Sequence, residues 1–339
     1  MFEHPREALR YNSLKQFSMP KKTITKNAAL VIFLGVFLTA ATACFRFGIS
    51  GGTPPSFDRE SPNFGPPTIA GRIQSDEIAE SSGLAVSRCQ DDLLWTHNDS
   101  GDGPYIFAMD RQGKHRGTWK VGNAENTDWE DIALYKDPAG KCFLIIGDTG
   151  NSKKEPRTVL RIYRVAEPAV ANDDSESSRK HPLPAAPAEL LTFSYPDGPQ
   201  DAESLLVEPR SGNIYILTKN QNKPSGVYLL KQVFGTATVE AVRVSELTVP
   251  AVPNGLLTGG DISADGRHVV ICDYFAAYEL PLPKGAANFD EVWKQKPATI
   301  DLGDREQGEA IAYSADGNTL FATSEKKNEP IVTVQRISR

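Results

Sequence analysis

Cysteine and histidine are scarce in this sequence, at four and five among 339 residues. No C-x-x-C pair and no Cys/His cluster occurs, which argues against a zinc site. A glycine-rich loop of the phosphate-cradling kind is also missing. The string GISGG at 48–52 matches G-x-S-x-G in form, but it sits in a Gly/Pro/Ser-rich stretch instead of between a strand and a helix, so it marks no nucleophile elbow. Positive charge is short too. The formal net charge is −6, and the first 46 residues alone carry seven Lys/Arg against two Asp/Glu, leaving about −11 on the remainder. That balance argues against nucleic acid as a partner.

What is present begins with an apolar run, AALVIFLGVFLTAATAC at 28–44, preceded by Lys21, Lys22 and Lys26. Two readings stay open. A start at Met19 gives a basic region, an apolar region and small residues before Cys44, the order of a lipoprotein signal, although Ala41 stands where a larger aliphatic residue is usual. A start at Met1 gives an uncleaved anchor. Either one exports the rest of the chain and tethers it to a membrane. Residues 1–46 are therefore expected to be signal or anchor, 47–67 a flexible tether, and 68–339 the folded domain. Cys272 lies in the apolar run RHVVICDY and reads as a buried thiol; an oxidising compartment would allow Cys89 and Cys142 to pair, which spacing alone does not establish.

The domain repeats. SGLAVS from Ser82, EDIALY from Glu130, ESLLVE from Glu203, GDISAD from Gly260 and EAIAYS from Glu309 align at separations of 48, 73, 57 and 49 residues. Each is followed by a tight turn such as SADGRH or SADGNT, a second apolar strand, a polar loop and a third strand; a fourth strand closes most units. The last unit runs out after its third strand, and TIAGRI at 68–73 stands alone before the first. Joining the two gives an all-β, five-bladed β-propeller closed by an N-terminal strand. A sandwich or barrel of short strands is the alternative, but it leaves the shared internal order unexplained. The segment 169–189, rich in Pro, Ala and Ser, is expected to be a mobile loop between the third and fourth strands of blade 2.

In a propeller the innermost strands line an axial channel, so the strand-start residues Ser82, Glu130, Glu203, Gly260 and Glu309 should converge on one face. The loops joining second and third strands open onto that face and carry His97, Asn98, Asp99, Asp148, Asn151, Lys219, Asn220, Asp273, Tyr274 and Glu325. Converging carboxylates repel, and a hard divalent cation relieves them. Ca²⁺ suits an irregular ring of oxygens, and Mg²⁺ ranks second. The expected metal ligands are Ser82, Glu130, Glu203 and Glu309, with Asp261, which aligns with Asp131, as a weaker candidate. Trp129 reads as packing between blades.

This pattern resembles the soluble calcium-activated nucleotidases (apyrases). These are five-bladed propellers whose calcium is held by residues in the order Ser, Glu, Glu, Ser, Glu; the matching positions here are Ser82, Glu130, Glu203, Gly260 and Glu309. The chain also resembles exported phytase-like and gluconolactonase-like propellers, most of them six-bladed. The resemblance implies a metal site able to polarise a phosphate or an ester.

Chemistry at such a site needs a base, and His97 and Asp148 are the candidates on the expected metal face. His268 and His115 fall on the far face, His181 in the inserted segment and His4 before the apolar run. Loop lysines, Lys153, Lys154, Lys219, Lys223, Lys326 and Lys327, offer cations for an anion, although loop tips are rich in lysine in any case. Two functions remain: a cell-envelope module that binds a small anionic ligand or an envelope protein, and a calcium-dependent hydrolase of phosphoanhydrides, phosphoesters or lactones. A monomer is expected.

Overall fold

The computed structural model describes residues 61–337 apart from 222, 236 and 251–255. The expected signal or anchor, Cys44 and the tether up to residue 60 lie outside the described residues. Among the described residues no helix is long and apolar enough to cross a membrane.

Five antiparallel sheets form, each running from an inner to an outer strand. Blade 1 is Ser81–Val86, Leu94–Asn98, Tyr105–Met109 and His115–Gly122. Blade 2 is Trp129–Lys136, Cys142–Asp148, Leu160–Ala166 and Glu189–Ser194. Blade 3 is Ala202–Val207, Ile214–Thr218, Ser225–Leu230 and Val242–Leu247. Blade 4 is Gly259–Ile262, His268–Cys272, Ala276–Pro281 and Ala298–Asp301. Blade 5 is Gly308–Tyr313, Thr319–Ser324 and Pro330–Gln335, completed by Thr68–Arg72. That last pairing, Thr68 opposite Thr333 and Ile69 opposite Val332, joins the two ends of the domain. Consecutive inner strands touch all the way round, blade 5 against blade 1 included, so the ring is closed.

The apolar core is five interfaces instead of one centre. Strand residues alternate sides, so in the inner strand of blade 2 Ile132 and Leu134 pack against blade 1 while Ala133 and Tyr135 pack against blade 3. The same division recurs around the ring. Burial on both sides is why these strands read as near-continuous apolar runs. Trp129 is fully buried in the blade 1–blade 2 interface, as expected of packing. The SADG turns of blades 4 and 5 put Gly266 and Gly317 at φ of +66° and +72°, which a side chain would resist.

Two expectations are corrected. The fold begins before residue 68: Phe64 is buried beneath Arg336 in the blade 4–blade 5 interface, and the Gly65 N–H donates to the Gln335 carbonyl at 2.8 Å. The inserted segment is not a free loop. Leu183–Pro187 adds a parallel fifth strand to the outer edge of blade 1, with Leu183 opposite Trp119. Ser177 Oγ accepts from the Thr118 N–H at 2.8 Å, and Arg179 pairs with Asp102. Its prolines misled because Pro signals loops, yet an edge strand tolerates Pro on its unpaired side. Blade 3 does the same on a smaller scale: Val239–Glu240 joins the edge of blade 2. Both additions cover strand edges that otherwise invite association.

Cys89 and Cys142 are joined by a disulfide with Cα atoms 6.2 Å apart, stapling the blade 1 hairpin to the second strand of blade 2, and Cys272 is a buried free thiol. The bridge closes a 53-residue separation. Replacing both cysteines by serine is expected to lower stability by about 2–4 kcal/mol. Thermal melting of the double variant against the wild type checks this, and equal melting would assign the bridge no stabilising role.

Candidate metal centre

The strand-start residues owe their aim to a backbone irregularity. In blade 2 Trp129 pairs with Asp148 and Asp131 with Gly147, which leaves Glu130 as the extra residue of a β-bulge. Ser82, Glu203 and Glu309 are the extra residues of the same bulge in blades 1, 3 and 5. Blade 4 pairs without interruption through Gly259 and Gly260, and it is the blade without a side chain at this position. A bulge turns its residue out of the regular alternation, so these side chains leave the packed interfaces for the channel mouth.

Glu130 stands at the centre of what gathers there. Oxygens of Asp99, Asp128 and Glu130 lie within 4.8 Å of one another, and so do those of Glu130, Asp201 and Glu203. Gly150 makes room: a Cβ there would lie 2.0 Å from Glu130 Oε1 and 2.5 Å from Asp128 Oδ2. Burial first, then repulsion by neighbouring carboxylates, pushes Asp128 up to about 6 and raises Asp201, while burial alone raises Asp99. Glu130 is raised well above the usual carboxylate range, by burial and then by Glu203 and Asp99. Glu203 reaches about 8, again chiefly through burial, even with Lys219 pulling it down.

These groups fit a hard cation. All five donors are carboxylate oxygens, with no sulfur or imidazole among them, which selects Ca²⁺ or Mg²⁺ over softer ions. Oxygens up to about 4.8 Å apart can share one Ca²⁺ at about 2.4 Å, whereas Mg²⁺ at about 2.1 Å needs them closer and in an octahedron.

The expected ligands divide. Glu130 and Glu203 enter the carboxylate groups. Glu309 sits beside them: it hydrogen-bonds the Glu325 carboxyl, which burial and then Asp99 and Glu80 push up to about 7, and it faces Lys219. The Ser82 hydroxyl is spent on the Glu130 backbone carbonyl at 2.7 Å, tying blade 1 to blade 2. Asp261 is turned into the channel wall. It accepts the N–H groups of Ile262 at 2.7 Å and Tyr313 at 3.0 Å, and it lies 3.7 Å from Arg88. Asp131 likewise accepts from Leu205 and Ile132.

Sequence reasoning missed Asp128 and Asp201. The signal was there as a repeated D-x-E, Asp128-Trp129-Glu130 and Asp201-Ala202-Glu203, at the heads of two inner strands.

Comparison with known proteins returned no matching protein-family model and no matching curated protein. Among solved structures the chain is similar to a luciferin-regenerating enzyme, at 10% identity over 79% of this chain and 95% of that one, with a TM-score of 0.44. It is also similar to a gluconolactonase from Xanthomonas campestris, at 12% identity over 82% and 99%, with a TM-score of 0.40. A nidogen/laminin complex aligns at 14% identity over 73% of each chain, with a TM-score of 0.39. Identities of this order transfer no ligand and no activity.

Neither expected base is free at the mouth. His97 is fully buried between blades 1 and 2, edge-on to Trp129 at 5.6 Å between ring centres, and burial pushes it down to about 4. The alternation of its strand decides this: His97 shares a side with Trp95, which faces blade 2. Asp148 is fully buried, 2.7 Å from Arg157 and 3.5 Å from Arg161, and accepts the Asp128 N–H at 3.0 Å. Its place is beneath the acidic group, holding Asp128. Asn98 holds the segment leading into blade 1 by accepting the Ala79 N–H, and Asn151, Asn220 and Asp273 are occupied in pinning their own loops.

Of the loop lysines, Lys153, Lys154, Lys223, Lys326 and Lys327 are exposed. Lys219 is not. Its ammonium lies 2.5 Å from Glu203 and 4.8 Å above the Tyr274 ring centre. A cavity of about 590 Å³ opens on the opposite face, lined by Arg88, Lys136 and Arg210 among others. Its arginines are engaged, Arg88 with Asp261 and Arg210 with the Asp265 carbonyl.

Proposed function

We propose that this propeller is a calcium-dependent binding module of the cell envelope, with the ion held by Asp99, Asp128, Glu130, Asp201 and Glu203. The observation that carries the reading is a pair of carboxylate triads, drawn from blades 1 to 3, that share Glu130. A bound ion would neutralise these groups and present a positive point to a small anionic ligand. Export and tethering are supported by the apolar run at 28–44 and by the disulfide, which belongs to an oxidising compartment.

A second reading, hydrolysis of a phosphoanhydride, phosphoester or lactone, draws support from Glu325. Its carboxyl, near 7 at the mouth, is suited to taking a proton from water. One experiment separates the two. The full-length protein is melted with calcium and with chelator, and assayed against nucleoside di- and triphosphates, phytate and lactones. Calcium at about a hundred times Kd is expected to contribute about 2.7 kcal/mol, roughly 5–10 °C in Tm, with no hydrolysis. Calcium-dependent turnover would establish the second reading, and an unchanged Tm would remove the ion from both.

A further inference from the structure

Glu203 has two claims on it. Its carboxylate belongs to one of the candidate ligand groups, with Glu130 and Asp201, and it is also the ion-pair partner of Lys219 at 2.5 Å. A carboxylate oxygen held at that distance by an ammonium is not free to enter the coordination shell of a divalent ion at full strength, because the two cations would face each other across one ligand.

We infer that Lys219 is a resident counter-cation that competes with the divalent ion for Glu203 and thereby sets the affinity of the site. This rests on the cation reading above. Three observations support it. Lys219 is sheltered, with 17% of its side chain exposed against 13% for Glu203, so water screens the pair weakly. Its backbone is fixed at the end of the second strand of blade 3, where its N–H donates to the Asp201 carbonyl at 2.9 Å, so exchange needs only side-chain motion. A second resting place adjoins the first: the ammonium already lies over the Tyr274 ring and interacts with Glu309, which stands outside both ligand groups. Moving from Glu203 toward Glu309 and Tyr274 keeps the ammonium paired while releasing one oxygen donor to the ion. Glu309 thus acquires a role different from ligation. It receives the displaced lysine.

The test is calorimetric titration of calcium into the full-length wild type, Lys219→Met and Lys219→Arg. Removing the competitor is expected to tighten calcium binding about tenfold or more. Arginine, whose planar fork can grip a carboxylate through two N–H groups, is expected to weaken it below wild type. The metal-free Lys219→Met protein should melt lower than wild type and gain more from calcium. Should Lys219→Met be too unstable to titrate, Lys219→Arg still decides, because affinity equal to or above wild type overturns the inference. Wild-type binding left unchanged or weakened in Lys219→Met overturns it while leaving the cation reading intact. Absence of binding in wild type and both variants removes the two together, and binding seen only in Lys219→Met supports this inference in its strongest form.

Discussion

Replacing Glu130 by glutamine is expected to lower calcium affinity by about a hundredfold, or about 2.7 kcal/mol, while making the metal-free protein more stable. The two effects have one cause. Glu130 is the member shared by both carboxylate groups, so its removal takes a charged ligand from each. In the metal-free protein the same carboxylate is 7% exposed and surrounded by Glu203, Asp99, Asp128 and Asp201. Burying a charge among like charges costs stability, and glutamine keeps the shape without the charge. Calorimetry and chelator melts read the two signs independently. Unchanged calcium affinity would remove Glu130 from the site, and a lower metal-free Tm would show that its buried charge is not the destabilising group its surroundings imply.

Acidification is expected to stabilise the metal-free protein between pH 8 and pH 5, and calcium to flatten that dependence. Asp128, Glu325 and Glu203 take up protons near 6, 7 and 8 in the folded protein against ordinary values of 3.8, 4.5 and 4.5. The folded state therefore binds more protons than the unfolded state throughout this window. Their contribution is fully present below about pH 4 and is lost as pH rises through 6 to 8. Of the groups pushed downward, Asp265, Asp316 and Glu306 titrate below the window, whereas buried His97, lowered from 6.5 to about 4, opposes the trend below about pH 6.5 as one group against three. The expected change is on the order of 5 kcal/mol, or roughly 10–20 °C in Tm. An ion substitutes for the protons, so calcium should matter most at pH 8 and least at pH 5. Melting across this range with chelator and with calcium checks both halves. A metal-free Tm that falls on acidification from pH 8 would mean the mouth carries less unbalanced charge than its geometry requires.

The candidate site was partly legible. Glu130 and Glu203 were visible because each opens an apolar strand of the repeat, and Asp99 because it follows the second strand of blade 1. His97 was misplaced because it lies one residue from the loop, and strand alternation, fixed by Trp95 facing blade 2, turned it inward. Asp148 carried no local mark of its partners, since Arg157 and Arg161 follow in a loop and a strand that only folding brings back to it. Lys219 resembled every other loop lysine in sequence.

Repetition of a local pattern, with alternation along each strand, determined the five blades, the closing N-terminal strand and the strand starts that carry Glu130 and Glu203; none of these needs more than short-range order. Tertiary structure alone decided which acids stand close enough to share an ion, where the inserted segment pairs, and that a lysine lies among the carboxylates. Those outcomes depend on distances between residues far apart in the chain, and such distances are set by how blades pack and where a bulge turns a side chain.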